Sequence, residues 1–493
     1  MRNKLRLNNV MTLIYQIVSV IVGIIVPRLI LKQFGSNVNG LVSSITQLLS
    51  IISLMDLGVG AVVQSALYKP LLEEDNIKIS KIFWSSQKYF SRIAKILLIY
   101  ILILCVYYGV FKGNLFSWQY TTTLILSLSL SYFAQYYFGI SNSLILSADQ
   151  KVYVVTLINL TALIINTIIT IILIYVGSSI QVVKLSSSCV FLFKPLILQY
   201  YVKRNYNIKK FDQITDSIPN KWSGLAQHIT VVLTNSVDTV MLTLFGSFGL
   251  ISIYNVYVLP LNSLRTLVET TSTGYKSFFG NLIAKNDSNK LIEEFSKYET
   301  MMHIIITVLM STCLVVLIPF VKIYTNGIDD INYINLCFCI CIVLAYTFQL
   351  LRVIYTNIIY ASGKFKETQL ICVIECILNL GISFFLVKPL GLVGVALGTV
   401  VASAYRLFST AYYLQNNVLN RSLFILLKHL IINAICFFIV GILSSFIKPI
   451  GNSIFDLVIY AFIIFFMSLV VSLLMNMIFY INIIYKIFLQ KIV

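Results

Sequence analysis

The chain has 493 residues, of which 58% are hydrophobic and only 11% charged, with a mean hydropathy of +0.90. That composition excludes a soluble globular protein and indicates a polytopic membrane protein. A net charge of +18 suits either nucleic acid or an anionic membrane surface, and where the charges lie decides between the two.

At the start of the chain, Arg2, Lys4 and Arg6 precede an apolar run too long for the core of a signal peptide. No small-residue cleavage site follows it, so no cleavable signal is expected. From Val10 to Tyr68 run two apolar segments joined at Gly35-Ser36-Asn37, each long enough for the ~20 helical residues that cross a bilayer core. The first carries Pro27-Arg28 and the second carries Asp56. A charge at mid-membrane costs about 2.5–3.5 kcal/mol even on the lenient insertion scale, so both are expected to face a bundle interior or a wet cavity.

Apolar runs and charged loops together define fourteen candidate spans. The first six lie near 10–31, 38–67, 94–111, 121–147, 152–176 and 180–201. The next six lie near 223–246, 248–272, 301–322, 331–360, 368–388 and 391–415, and the last two near 429–447 and 454–480. With the N-terminus inside, the cytoplasmic segments carry 25 Lys and Arg and the outer loops 5, the other 6 lying within spans. This bias places both termini in the cytoplasm and assigns the excess charge to the inner membrane surface. Nucleic acid is thereby set aside. The outer loops, 112–120 and 325–331 being the longest, are too short for a folded domain, which argues against a membrane polymerase or ligase. On the inside, Lys81, Lys88, Arg92 and Lys95 share one helical face with Phe83, Trp84 and Phe90 nearby. That pattern reads as an interfacial helix on anionic lipid, leading into the third span.

The second half echoes the first. Phe34-Gly35-Ser36 recurs as Phe245-Gly246-Ser247, NSLILSADQK from Asn142 as NIIYASGKFK from Asn357, and Asn166-Thr-Ile-Ile-Thr as Asn379-Leu-Gly-Ile-Ser. The offsets, 211, 215 and 213 residues, are nearly equal. Six spans separate the copies, so the repeat is parallel, with a binding site expected between the halves near the midplane. The fold expected is an all-α polytopic membrane protein of about 14 transmembrane helices. It comprises an N-terminal lobe over 1–215, a C-terminal lobe over 216–415 and two further helices over 416–493.

No enzymatic signature is present. There is no phosphate loop, Gly363-Lys364-Phe365 being none, and no HExxH or GxSxG. Nine cysteines lie within apolar runs without CxxC spacing, so they read as small packing residues rather than metal ligands. His228, His303 and His429 fall toward cytoplasmic ends of spans, where interfacial placement explains them; His228, about a turn deeper, is the one proton-coupling candidate. What remains is buried charge. Lys184 and Asp456 lie near outer span ends, where snorkelling suffices. Arg28 and Asp238 fall toward the outside, while Asp56, Lys194, Arg265, Glu269, Arg352, Glu375 and Arg406 fall toward the cytoplasmic third. Each has a purely structural reading as an ion pair, Arg265 and Glu269 being spaced i,i+4. As a set, five deep cations are an expensive way to hold helices together. They suit an anionic substrate, above all a phosphate, because guanidinium makes forked hydrogen bonds to its oxygens. The substrate-binding residues expected are therefore Arg28, Lys194, Arg265, Arg352 and Arg406. Asp56, Asp238, Glu269 and Glu375 are candidates for coupling or gating. Tyr132, Phe133, Gln135, Tyr136, Tyr137 and Phe138 on the fourth span are able to stack and bond sugar rings, core aromatics being the commoner explanation.

Four stretches resemble the polysaccharide repeat-unit flippases of O-antigen, capsule and teichoic-acid export, in the multidrug/oligosaccharidyl-lipid/polysaccharide exporter superfamily. They are VPRLILKQFGSNVNGL (Val26 to Leu41), LMDLGVG (Leu54 to Gly60), LILSADQK (Leu144 to Lys151) and PLGLVGVALGTVVAS (Pro389 to Ser403). The resemblance implies two six-helix lobes around a central cavity, alternating access, and a location in the bacterial cytoplasmic membrane. It implies as substrate an undecaprenyl-pyrophosphate-linked oligosaccharide passed from the inner to the outer leaflet, with polymerase and glycosyltransferases of the same pathway as partners. No cofactor is implied, energy coming from an ion gradient or membrane potential. The related lipid II flippases use cavity arginines on spans one and eight, the spans that carry Arg28 and Arg265 here. The alternatives are a lipid II flippase, a cation-coupled drug exporter of the same superfamily, which would favour an acidic cavity, and a structural membrane protein.

Overall fold

The computed structural model describes residues 2–56, 58–112, 115–209, 225–285, 288–364, 367–447, 451 and 453–488. Side chains are described for these except 2–6, 225–232, 234–235, 273–274, 277, 288 and 480–488. The described chain is helical throughout. It opens with α1 (Arg2–Ser50), a 3-10 turn (Ile51–Asp56), α2 (Val59–Leu72), α3 (Asn76–Phe111) and α4 (Trp118–Ala134). A π-helical segment (Gln135–Gly139) leads to α5 (Ile140–Ala148), α6 (Val152–Tyr175), α7 (Ile180–Asn205) and α8 (Leu225–Phe245). Then come α9 (Phe248–Ala284), α10 (Ser288–Tyr324), α11 (Leu336–Ala361), α12 (Gln369–Leu390) and α13 (Leu392–Leu414). A second π segment (Gln415–Leu419) precedes α14 (Phe424–Ser445) and α15 (Ile454–Phe488).

Ten helical stretches among the described residues are long and apolar enough to cross a membrane, against the fourteen spans expected, and the difference has local causes. The first two spans are one run, Leu7–Asp56, because only Gly35 (φ 79°, ψ 173°) breaks the helical backbone between them. The fourth is interrupted by the π segment, and of α8 only Ser236–Phe245 counts as a shorter apolar helix. The eighth, α9, is long but carries Asn255, Asn262, Arg265 and Glu269 within its apolar stretch, and so reads as a helix with a polar face. The interfacial segment expected before the third span is continuous with it as the start of α3. Lys81, Lys88, Arg92 and Lys95 are exposed there, while Phe83 and Phe90 are buried. Asp75 caps this helix by accepting from the Lys78 N–H at 3.0 Å, a bond that holds its carboxyl below the usual carboxylate range.

The chain divides into two compact units, residues 1–236 and 237–493. In unit 1, α1 packs on α6, α4 on α7, α6 on α7, and α2 on α3 and α5. One hydrophobic core of this unit gathers Val63, Leu67, Ile82, Phe83, Leu146 and Val202. Hydroxyl pairs stitch its helices, Ser44 with Tyr108 at 2.6 Å and Ser86 with Ser141 at 2.9 Å, as expected where polar groups lack water. Asn8 fastens α1 to the turn before α6: its Nδ2 donates to the Gln150 carbonyl at 3.0 Å and its Oδ1 accepts from the Tyr153 N–H at 2.8 Å. The LILSADQK stretch thus has a structural job in this turn.

In unit 2, α13 packs on α11 and α12, α9 on α11, and α10 on α11, α14 and α15. The buried rings of Tyr257, Phe279, Phe295, Phe338 and Tyr355 fill its core. The α12–α13 backbones approach closely: a Cβ on Gly394 would overlap the Leu386 carbonyl, and one on Gly398 the Ser383 hydroxyl. This is a small-xxx-small seam, where missing side chains let helices meet. Gly394→Ala is therefore expected to destabilise the protein by about 1–3 kcal/mol through overpacking. Helix propensity alone would make the same change favourable by roughly 1 kcal/mol. A drop in the melting temperature of purified protein checks this, and unchanged or higher stability would show that the seam is loose.

Candidate functional site

Charge within unit 2 is gathered mainly on one carboxylate. Glu375 of α12 is 1% exposed, and its Oε1 accepts from Arg352 Nη1 of α11 at 3.0 Å. Its Oε2 accepts from Arg406 Nη1 of α13. One carboxylate cannot neutralise two guanidiniums, so this cluster keeps one net positive charge. Arg406 is 4% exposed and its Nε has no hydrogen-bond partner among the described residues, while the Arg352 side chain is 13% exposed. Arg352 is therefore the member best placed to reach a ligand. Arg265 and Glu269, one turn apart on α9, pair at 2.8 Å with side chains 25% and 42% exposed. This pair is the weaker kind, neutral and half-solvated.

Asp238 of α8 is buried in a nest of oxygens. Its Oδ2 accepts from Tyr254 at 2.9 Å and its Oδ1 from Thr399 Oγ1 at 2.8 Å. The same Thr399 hydroxyl lies 3.4 Å from Asn379 Oδ1 and 3.2 Å from the Val395 carbonyl. Ser383 Oγ lies 3.1 Å from Asn379 Oδ1 and 3.4 Å from that carbonyl. Each hydroxyl has one hydrogen to give, and the Asn379 Nδ2 amide, buried with no partner among the described residues, is a further donor in the cluster. A carboxylate with amide, hydroxyl and carbonyl oxygens gathered around it offers the ligand types a hard cation takes. Among the described residues no three His, Cys, Asp or Glu side chains gather as a metal cluster.

In unit 1 the expected residues are dispersed. Arg28 follows Pro27 in α1 and is half-buried, and Asp56 ends the 3-10 turn with its carboxyl beside Tyr136. Lys194 of α7 sits 5.2 Å over the Phe191 ring and lines a cavity of about 480 Å³ together with Lys184, Tyr132, Gln135 and Asn166. Lys184, which snorkelling seemed to explain, is thus a cavity residue. The aromatic run of the fourth span is divided by the π segment. Tyr132 and Gln135 face this cavity, while Tyr137 and Phe138 line a second crevice of about 380 Å³ with Lys88 and Lys203. π-helical turns commonly re-aim side chains in this way at functional sites.

Two features escape sequence reasoning. Glu299, fully buried, accepts from Arg421 and from the Tyr355 hydroxyl at 2.7 Å; read from hydropathy, both charges belong to loops. His303 and His429 are 0% and 1% exposed and stack at 4.5 Å, with His303 Nδ1 2.9 Å from Asn433 Nδ2. The interfacial reading of these two histidines is thereby corrected: span position gave their depth but could not show that α10 and α14 close over them. The His228 side chain lies outside the described residues. Asp456 is an end-of-helix residue, its Oδ2 accepting from the Ser453 N–H at 3.2 Å.

No family model and no curated protein matches the chain. Solved structures do. The inward closed conformation of the lipid II flippase MurJ superposes with a TM-score of 0.64 over 97% of this chain and 99% of its own, at 17% identity. The inward-facing conformation of a multidrug resistance MATE family transporter of the MOP superfamily gives 0.55 over 79% of this chain and 92% of its own, at 12% identity. A MOP superfamily transporter from Pyrococcus furiosus Vc1, described as having reversed polarity of its binding pocket, gives 0.53 over 85% and 95%, at 11% identity. The protein is an all-helical, multi-pass membrane protein with the fold of MOP superfamily transporters.

The two kinds of ion pair are expected to differ in stability. Glu375→Gln strands two buried guanidiniums and should cost about 3–5 kcal/mol, as breaking a buried pair does. Glu269→Gln, in the half-solvated pair, should cost about 1 kcal/mol or less. Melting of the two purified variants checks the ranking; equal losses would mean that Glu375 is not the hub of unit 2.

Proposed function

We propose that the chain is a flippase of the bacterial cytoplasmic membrane that moves undecaprenyl-pyrophosphate-linked oligosaccharide repeat units from the inner to the outer leaflet by alternating access. The observation that carries the reading is the Arg352–Glu375–Arg406 cluster: a net positive charge, held deep among helices, with one guanidinium partly open. A pyrophosphate crossing the membrane must exchange water for fixed donors, and arginine supplies them in a planar fork. Arg28, Lys194 and Arg265 extend the anion path in this reading. An exporter of cationic drugs has no use for such a cluster.

Coverage points the same way. The lipid II flippase fold spans 97% of the chain and the drug-exporter fold 79%. Backbone landmarks support two six-helix lobes related by a parallel repeat, over 1–215 and 216–415, with 416–493 added. The left-handed residues Gln150 and Gly363 end corresponding helices 213 residues apart, and Gly177 and Gly391 turn corresponding hairpins 214 apart. Fourteen crossings with both termini cytoplasmic follow from this reading and from the charge bias. For energy, the oxygen nest of Asp238 is the proposed coupling site for a hard cation; Asp56, Glu269 and Glu375 serve pairing or gating.

The test is transport of a fluorescent undecaprenyl-pyrophosphate oligosaccharide in liposomes containing the purified protein. Flipping is expected without nucleotide, and Arg352→Ala should reduce it at least about tenfold, the loss of one charge-assisted contact, with Arg352→Lys intermediate. A strict ATP requirement, or full activity in Arg352→Ala, would overturn the proposal. Asp238→Asn should flip substrate but lose acceleration by a cation gradient. Retained gradient dependence would remove Asp238 from coupling.

A further inference from the structure

We infer that unit 1 contains its own site for an acidic saccharide: the cavity between α1, α4, α6 and α7 receives a hydroxylated ring bearing a carboxylate or a phosphate. This rests on the reading of the chain as a carrier of lipid-linked oligosaccharides, and it adds the charge of the glycan carried.

The cavity is built from single helix faces. On α7, Lys184, Ser187, Ser188, Phe191 and Lys194 follow the 3- and 4-residue spacing of one stripe. On α6 the lining positions are 159, 163, 166 and 170, and on α4 with its π segment 128, 131, 132 and 135, again one stripe each. Membrane-spanning helices that turn their amides, hydroxyls and ammonium groups to a shared space of about 480 Å³ enclose a polar site of ordinary ligand size. No Asp or Glu lines it.

Its charge is therefore positive. Neither lysine has an ion-pair partner among the described residues; Lys194 has only the Phe191 ring at 5.2 Å. The repeat shows why. At the offset of 212 to 213 residues, Lys194 corresponds to Arg406 and Asn166 to Asn379, but the position of Glu375 is taken by Ala162. The carboxylate that holds Arg406 has no counterpart beside Lys194, which leaves the position open to a ligand anion. A buried ammonium without one is costly. The neutral groups define the rest of the ligand. Asn166 Oδ1 is buried with no hydrogen-bond partner, an acceptor suited to a sugar hydroxyl, and Tyr132 and Gln135 offer further partners. A cationic ligand is repelled, and an apolar one leaves these groups unpaired. Ten residues of helix separate the lysines by about 15 Å, so one anionic group meets one lysine at a time, and a glycan with acidic groups on successive rings meets both.

Binding of soluble probes to the detergent-purified full chain tests this, using maltose, a uronic-acid-containing disaccharide and a disaccharide phosphate, read by calorimetry. An acidic probe is expected to bind at least about tenfold more tightly than maltose, and the uronate and phosphate arms tell which anion is preferred. Lys184→Gln with Lys194→Gln should abolish that preference, the acidic probes then binding no more tightly than maltose, and Lys→Arg at both positions should retain it. Equal binding of all probes, no binding of any, or a double variant with wild-type melting that keeps the preference would each overturn the inference. If the double variant does not fold, loss of the acidic preference in high salt with wild-type protein decides in its place, and a salt-insensitive preference overturns the inference. Liposome flipping is scored separately: failure to move any lipid-linked oligosaccharide refutes the flippase reading, whatever the probes do.

Discussion

Unit 2 depends on a single constraint: one buried carboxylate must satisfy two guanidiniums where little water reaches. Glu375 meets it by giving one oxygen to each arginine, Oε1 to Arg352 and Oε2 to Arg406. That geometry requires α11, α12 and α13 to converge on one point, and the α12–α13 hairpin is the means. From the Gly391 turn inward, the seam first closes through Gly394 and Gly398 against Leu386 and Ser383. It then holds Asn379 and Thr399 at the oxygen nest of Asp238. It ends at Glu375 and Arg406. Backbone contact, oxygen cluster and charge cluster are successive levels of one helix pair, so a shift at the glycines is transmitted to both polar sites.

Unit 1 uses the corresponding hairpin differently. Its α6 and α7 join at Gly177, which like Gly391 has a positive φ, and Asn166 is matched to Asn379 at the 213-residue offset. Yet Asn379 Oδ1 lies against two hydroxyls, whereas Asn166 Oδ1 has no partner among the described residues. The π segment after α4 supplies the other difference. Around it, Tyr132 and Gln135 line one cavity and Tyr137 and Phe138 the other. The two hairpins thus form a sealed polar seam in unit 2 and an open polar chamber in unit 1.

Much of the fold was legible because bilayer-crossing helices announce themselves by length and hydropathy: from α3 to α15 the helices fall on the expected spans. The break at Gly35 and the amphipathic start of α3 were also readable, each being a local pattern. Depth was legible, partners less so. Arg265 and Glu269 are one turn apart and could be paired by counting, but Arg352, Glu375 and Arg406 come from three helices, and spacing along the chain does not reveal a meeting across it. Glu299 and Arg421 were lost because hydropathy assigns charges at span ends to loops, although Glu299 is fully buried. Lys184 was set aside by the same logic; a lysine near a span end can snorkel, and only packing shows that this one faces inward.

The two ways of keeping a cation inside the bundle have opposite consequences for binding. In unit 2 the carboxylate offsets most of the desolvation cost, so the fold is secured by the cluster and only the residual charge, expressed at Arg352, remains for a ligand. In unit 1 the lysines have no such offset, and folding must carry their cost through the surrounding apolar core. A ligand anion that enters there recovers this cost as binding free energy, without displacing an existing partner. In the site proposed for unit 1, Ala162 at the position matched to Glu375 leaves Lys194 for a ligand, where the carboxylate keeps Arg406 for the fold. Selectivity for charge arises where stability has been forgone.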